Sequence, residues 1–371
     1  MSYHGRFEQA KQPGKKKGLK IFLIVIAVIL VLLLIFAGAA YLYLQSKLKK
    51  MNIIELPKDT YAYTEPTDEV TRPPETGAET TEATTEATVP KMTADDIINI
   101  LFVGQAARAG EEETMADSTM LISINTYTKE ITCMSILRDS FVKLPDYKGH
   151  QCGRAKFTVC YNLGYQWGGG TAGGMEMTNI CLKDNFGIEV DYNVEVSFDS
   201  FIKMIDYIDG VDIDLTQAEA DYLNKDTLYV KRTIEPGVQR LQGMEALSYA
   251  RMRKAAGDSE SDIKRTERQR KVVEALLEKF RYRSIADLNK WIDILLPMVS
   301  TTMTPTDVTK LAARVLPIFS ELKIKGATVP MEGWGDMVDI YKDGQTHSVM
   351  RFDTAKEKKL IRAITEAEVS D

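Results

Sequence analysis

With 371 residues, of which 44% are hydrophobic and 27% charged, the chain is long enough for two domains and apolar enough for a large core. A formal net charge of −6, with basic residues in scattered groups, excludes the electrostatic footprint of a general nucleic-acid binder. Three histidines, no H-E-x-x-H, no C-x-x-C and no serine–histidine pairing speak against zinc hydrolase and serine hydrolase chemistry.

In chain order, residues 1–20 form a basic tail that includes Arg6, Lys11, Lys15, Lys16, Lys17 and Lys20. Residues 21–44 contain no charge and are long enough to cross about 30 Å of hydrocarbon as a helix. This segment ends in Tyr41 and Tyr43, with Lys47, Lys49 and Lys50 beyond, an interfacial anchor rather than a signal-peptide cleavage site. The excess of positive charge before the span places the N-terminus in the cytoplasm. The protein is therefore predicted to be single-pass in the cell membrane, with its C-terminal domain extracellular. Residues 45–93 are a Thr/Glu/Pro-rich extracellular linker, whose repeated stretch from Pro57 to about Thr93 buries too little apolar surface to offset its chain entropy and is predicted to be a disordered tether.

Folded structure is predicted over residues 94–283, with 284–371 as a C-terminal extension packed on the same domain. The apolar runs 97–104, 119–125 and 131–137 read as neighbouring strands, and 125–129 as a hairpin turn. Helical periodicity occupies 175–186, then returns at Phe198, Phe201, Ile202, Ile205 and Ile208 before Gly210. Residues 211–215 form another strand. Later helical stretches cover 285–299, 306–319 and 354–367, with short strands before the last. Strands alternating with helices imply a layered α/β domain, helices on both faces of a mixed sheet.

Other features have two readings. Cys133 and Cys181 fit buried free thiols, while Cys152 and Cys160 are close enough in sequence for a disulfide. The glycine-rich run 168–174 contains G-x-G-x-x-G but follows an aromatic segment rather than a strand. It reads as a flexible loop near a ligand entrance, not a nucleotide fingerprint. Tyr165 and Trp167 either stack on a sugar or lipid or pack in the core.

The chemistry-bearing stretch is Q-R-L-Q-G-M-E-A-L-S-Y-A-R-M-R (239–253), followed after a polar loop by D-I-K-R-T-E-R-Q-R (262–270). Arg251 and Arg253 share a face only if the chain is extended there. Arg265 and Gln269, four apart, share a helix face whose apolar stripe continues through Val272, Val273, Leu276, Leu277 and Phe280. Converging guanidinium forks suit phosphate oxygens. The other reading is a solvated helix whose arginines pair with Asp258, Glu260, Asp262 and Glu267.

These motifs, with N-I-L-F-V-G, S-I-L-R-D-S (135–140) and D-G-V-D-I-D-L (209–215), resemble the LytR-CpsA-Psr (LCP) enzymes of Gram-positive cell envelopes over about residues 99–280. The resemblance implies an α/β/α sandwich around a mixed central sheet. It also implies transfer of a phospho-glycopolymer, such as teichoic acid or capsule, from polyprenyl pyrophosphate to peptidoglycan. By position it makes Arg138, Arg251, Arg253, Arg265 and Gln269 the pyrophosphate ligands and sets Asp262 near the reacting centre, where the bland role is an ion pair with Arg265 or a charge at a helix N-terminus. Asp139 reads as structural. It further implies Mg²⁺ on two aspartates, of which Asp117 is present. Ala106 stands where relatives carry the other Asp, and Met115 where they often carry Arg. Glu111, Glu112 and Glu113 either substitute for the missing carboxylate or form a solvated acidic loop. The implied partners are the lipid-linked glycopolymer, peptidoglycan and the cell membrane, with no nucleic acid. The alternative is a catalytically impaired protein of the envelope that binds lipid pyrophosphate as a regulator or scaffold.

Overall fold

The computed structural model describes residues 46–57, 96–105, 116–252, 262–281, 293–331, 333, 335–342 and 344–365. The chain divides into two compact units, Met1–Lys50 and Met51–Asp371. The predicted span 21–44, the basic tail and most of the 45–93 linker lie outside the described residues. Among the described residues no helix is long and apolar enough to cross a membrane.

The strands are β1 (Asn52–Ile53), β2 (Ile97–Gln105), β3 (Ala116–Asn125), β4 (Glu130–Ile136), β5 (Phe141–Lys143), β6 (Arg154–Lys156), β7 (Tyr192–Ser197), β8 (Val211–Leu215), β9 (Gly237–Leu241), β10 (Ser300–Thr301), β11 (Lys323–Val329), β12 (Gly335–Lys342) and β13 (Gln345–Phe352). The helices are α1 (Thr158–Trp167), α2 (Thr171–Phe186), α3 (Phe198–Tyr207), α4 (Gln217–Lys225), α5 (Gly243–Arg251), α6 (Asp262–Arg281), α7 (Pro305–Val315) and α8 (Thr354–Thr365).

Seven strands form a central sheet in the order β1-β10-β7-β2-β3-β4-β11. The β1/β10, β7/β2 and β4/β11 pairs are parallel; β10/β7, β2/β3 and β3/β4 are antiparallel. The fold is thus mixed α/β around a mixed sheet. Strand β2 reads I-I-N-I-L-F-V-G-Q and is buried at nearly every position, as a mid-sheet strand covered on both faces must be. Its alternate residues split between two cores. Leu101 and Val103 join Leu121, Met134 and Ile136 under α1, α2 and α8. Ile98 and Ile100 join Met120, Ile124 and Ile131 under α6 and α7.

A third cluster unites α3, α4, α5 and the β8/β9 hairpin through Ile205, Val211, Ile213, Leu223, Leu241 and Tyr249, and Val272 of α6 closes it. Helix α6 therefore belongs to two cores and forms the wall between the sheet and this lobe. Ser197, through its side chain, caps α3, and Thr216 with Glu219 closes a capping box on α4.

Strand positions follow the predicted runs within a few residues, and the 125–129 turn forms as expected. There the Asn125 side chain accepts the Tyr127 and Thr128 N–H groups at 3.0 and 2.9 Å. The glycine-rich run departs from its reading as an entrance loop. Residues 171–174 form the first turn of α2, and a Cβ on Gly164 would lie 2.4 Å from the Gly173 carbonyl oxygen. The glycines let α1 and α2 touch backbone to backbone. Pro317 converts the end of the predicted 306–319 helix into a 3₁₀ segment, Leu316–Glu321, because it has no N–H to continue the ladder. The 285–299 stretch is described from residue 293, where a helical turn and a 3₁₀ turn, Leu296–Met298, lead into β10. All four cysteines are free, so Cys152 and Cys160 are not bonded; Cys160 instead lies buried with its thiol on the Met177 carbonyl at 3.3 Å.

Candidate functional site

A cavity of about 520 Å³ opens between the sheet and the α3–α5 lobe. From the sheet it takes Phe102, Gly104, Ser118 and Met120; from α3, Phe198 and Phe201; from α5, Leu247, Ala250 and Arg251. Helix α6 adds Arg265, Gln269, Val272 and Val273. Arginine and amide groups thus share one space with a largely aromatic and aliphatic wall.

The i, i+4 pair Arg265 and Gln269 faces this space as its spacing predicts. Ser118 Oγ donates to Gln269 Oε1 at 3.0 Å, tying the amide to β3. The other arginines of the motif serve the scaffold. Arg268 Nε donates to Glu219 Oε1 at 2.9 Å, and its other end reaches the Met252 carbonyl at 3.2 Å. Arg270 donates to Ser135 Oγ at 3.1 Å and to the Ala327 carbonyl at 3.0 Å. Alternate faces of one helix are so anchored to the lobe and to the sheet, which fixes the face carrying Arg265. Burial pushes the Glu219 carboxyl up, but the Thr216 N–H and the Arg268 guanidinium outweigh it and hold the group below its ordinary range.

Arg251 is the last residue of α5. Its guanidinium lies 5.2 Å from the centre of the Phe198 ring and donates to the Tyr229 hydroxyl at 3.4 Å. One turn back, Ser248 Oγ donates to Asp226 Oδ2 at 2.5 Å in the same wall. Arg253 lies outside the described residues, and so do Ala106, Met115 and Glu111 to Glu113. Asp117 falls in β3 and Asp262 begins α6, but their side chains lie outside what is described.

Arg138 is not in the cavity lining. It stands just past β4, 28% exposed, with Nε 3.8 Å from Asp139, whose other oxygen binds Lys156 Nζ at 2.7 Å. Its backbone is nonetheless at the cavity end of the sheet. Thr158 donates its N–H to the Arg138 carbonyl and its hydroxyl to that of Ala116, two residues before Ser118.

A buried polar cluster behind the cavity escaped sequence reasoning. Glu195 of β7 accepts hydrogen bonds from the Tyr161 hydroxyl and, at 3.2 Å, from Thr171 Oγ1; Tyr161 in turn accepts from Gln105 Nε2 at 2.7 Å. Burial pushes both the Glu195 carboxyl and the Tyr161 phenol upward. Trp167 and Tyr165 are partly buried against the core; Trp167 stacks on His150 at 4.1 Å, and Tyr165 lies 6.3 Å from Tyr161.

Among the described residues no group of three or more His, Cys, Asp and Glu converges to hold a metal ion. The described polar lining, Arg251, Arg265, Ser118 and Gln269 among it, suits an anion better than a bare Mg²⁺.

Fold and cavity together define a layered α/β domain with an arginine-bearing apolar pocket. The LytR_cpsA_psr family model matches residues 63–359, and the chain belongs to that family. Regulatory protein MsrR of Staphylococcus aureus (strain COL) is 31% identical over 254 residues, 67% of this chain and 69% of MsrR. The polyisoprenyl-teichoic acid–peptidoglycan teichoic acid transferase TagT of Bacillus subtilis (strain 168) is 30% identical over 205 residues, 54% of this chain and 57% of TagT. A solved structure of the LytR-CPS2A-psr family protein YwtF (TagT) with bound octaprenyl pyrophosphate lipid matches at a TM-score of 0.52 and 21% identity. It covers 75% of this chain and 94% of that one, a likeness of fold.

Proposed function

We propose that the protein is a membrane-anchored phosphotransferase that moves a glycopolymer from undecaprenyl pyrophosphate onto peptidoglycan outside the cell, held there by residues 21–44. The observation that carries this reading is the meeting of Arg251, Arg265 and Gln269 with Phe102, Phe198 and Phe201 in one cavity. An anionic head and an isoprenoid tail need that combination.

In the proposed reaction a sugar hydroxyl of peptidoglycan attacks the phosphorus nearer the glycan, and the bond to the bridging oxygen breaks. Polyprenyl phosphate leaves with that electron pair, and the hydroxyl proton passes to Asp262. Arg138, Arg251, Arg253 and Arg265, with Gln269 beside them, position the pyrophosphate and neutralise its spreading charge, which is most of what phosphoryl transfer asks of a protein. Asp117 and the substrate's own oxygens would hold Mg²⁺, which when bound supplies further charge neutralisation.

A second reading has a specific basis. The family resemblance implies a metal-holding Asp at the position of Ala106, and a relative carries the name regulatory protein. In this reading the arginine pocket binds the lipid intermediate without turnover. Transfer from a synthetic lipid-linked glycan to peptidoglycan oligomers, with Mg²⁺ and with chelator, separates the two. Product that disappears in Arg138→Ala supports the transferase; tight lipid binding without product supports the regulator.

A further inference from the structure

Three of the four cysteines gather on the sheet face opposite the cavity, in and around the core that α1 and α2 cover. Cys160 of α1 and Cys181 of α2 are both 0% exposed, and Cys152 packs against the same cluster from the segment ahead of β6. Cys133 belongs instead to the core on the other sheet face, under α6 and α7.

The glycine contact sets the spacing of the buried pair. A Cβ on Gly164 would lie 2.4 Å from the Gly173 carbonyl oxygen and 2.7 Å from the Met177 Cβ, so the helices touch backbone to backbone there. One turn earlier on α1 the Cys160 thiol rests on the Met177 carbonyl at 3.3 Å, and one turn beyond Met177 on α2 stands Cys181. The helices therefore run antiparallel, and the two thiols meet in a hydrogen bond along the same seam. A disulfide needs Cα atoms about 4.4–6.8 Å apart, a separation that helices packed this closely provide. Burial, with the Cys181 hydrogen bond next, pushes the Cys160 thiol up, so it stays neutral in the closed seam and exchanges only when the seam opens.

We propose that Cys160 and Cys181 form a disulfide site, oxidised outside the cell by exchange with a disulfide-bearing oxidant as the chain folds. The inference rests on the outward placement of the domain, not on the lipid reading of the cavity. One cysteine thiolate attacks the oxidant's S–S bond, and the far sulfur leaves as a thiolate. The second cysteine thiolate then attacks the first cysteine's sulfur and expels the other half. Two electrons and, through solvent, two thiol protons pass to the oxidant, which becomes two thiols. The bond would fix a helix that braces the frame of the candidate site. Thr158 of α1 donates to the Arg138 and Ala116 carbonyls, and Tyr161, next to Cys160, accepts from Gln105 and donates to Glu195.

The test incubates the full chain, in detergent micelles, with glutathione disulfide in urea below the unfolding transition, which opens the seam transiently. The protein is then alkylated and its peptides mapped by mass spectrometry. Peptides joined through Cys160 and Cys181 are expected, with a Tm about 5 °C or more above that of the dithiothreitol-treated protein, because the bond closes a loop in the unfolded chain. Cys181→Ala should lose both the cross-link and the shift, whereas Cys133→Ala should keep both. A bond joining Cys152 to Cys160, glutathione adducts without an internal bond, or a Cys160 to Cys181 bond that leaves Tm unchanged overturns the proposal. Mapping and Tm of the unaltered protein decide the matter should Cys181→Ala perturb folding. Labelling of the partly exposed Cys152 on protoplasts by a membrane-impermeant maleimide is read separately: its absence sinks the outward placement and leaves the cross-link result standing.

Discussion

Arg268 and Glu219 meet at 2.9 Å with both side chains only 6% exposed, joining α6 to α4 three residues along the helix from Arg265. Removing one partner leaves the other as an uncompensated buried charge. Arg268→Ala should therefore cost about 3–5 kcal/mol in urea denaturation, and adding Glu219→Ala should recover part of the loss. An unchanged midpoint in the single variant would show that this pair does not hold α6 in place.

Glu219 also makes stability depend on pH with a definite sign. Its folded carboxyl is held below its ordinary range, so its contribution is complete above the unfolded value and lost as pH falls through the folded one. Denaturation midpoints should decline as pH is taken from neutral down through the carboxylate range. Glu219→Gln should decline less over the same interval.

The α1–α2 contact sets a steric limit. A methyl group at Gly164 meets backbone at 2.4 Å, and backbone cannot rotate away as a side-chain end can. Gly164→Ala should lower stability by about 1–3 kcal/mol, read as a fall in Tm, without altering the lining of the cavity on the opposite sheet face.

Position 106 tests the metal. If Asp117 holds Mg²⁺ as proposed, Ala106→Asp should tighten Mg²⁺ binding by about tenfold in calorimetry of the isolated protein, because it adds a second hard carboxylate. Strong Mg²⁺ binding by the unaltered protein would reject a weakened site.

Much of this fold is legible in the sequence because β2, β3 and β4 are long apolar runs that only a buried sheet can absorb. The Asn125 turn is legible for a local reason, its side chain closing the loop on itself. Elements held by tertiary contacts are not. Helix α1 shows no clear apolar period, since the residues it buries are Cys160, Tyr161 and Gly164, the last in backbone contact with α2. The β5/β6 ribbon is too short to carry a signal. In the site, the i, i+4 spacing of Arg265 and Gln269 was sufficient to place them together. Nothing in the spacing separates Arg268 and Arg270, which hold the scaffold, from Arg265, because their partners Glu219, Ser135 and Ala327 lie far away in sequence. The Glu195–Tyr161–Gln105 cluster is likewise drawn from three distant segments.

The most direct test of the account compares octaprenyl pyrophosphate with octaprenol for binding to the full chain, in the unaltered protein and in Arg251→Ala and Arg265→Ala. The account predicts clear preference for the pyrophosphate and a loss of about 10- to 100-fold in each variant, the span expected of a charge-assisted contact. Equal affinity for the alcohol, or variants that bind the pyrophosphate as tightly as the unaltered protein, would contradict it.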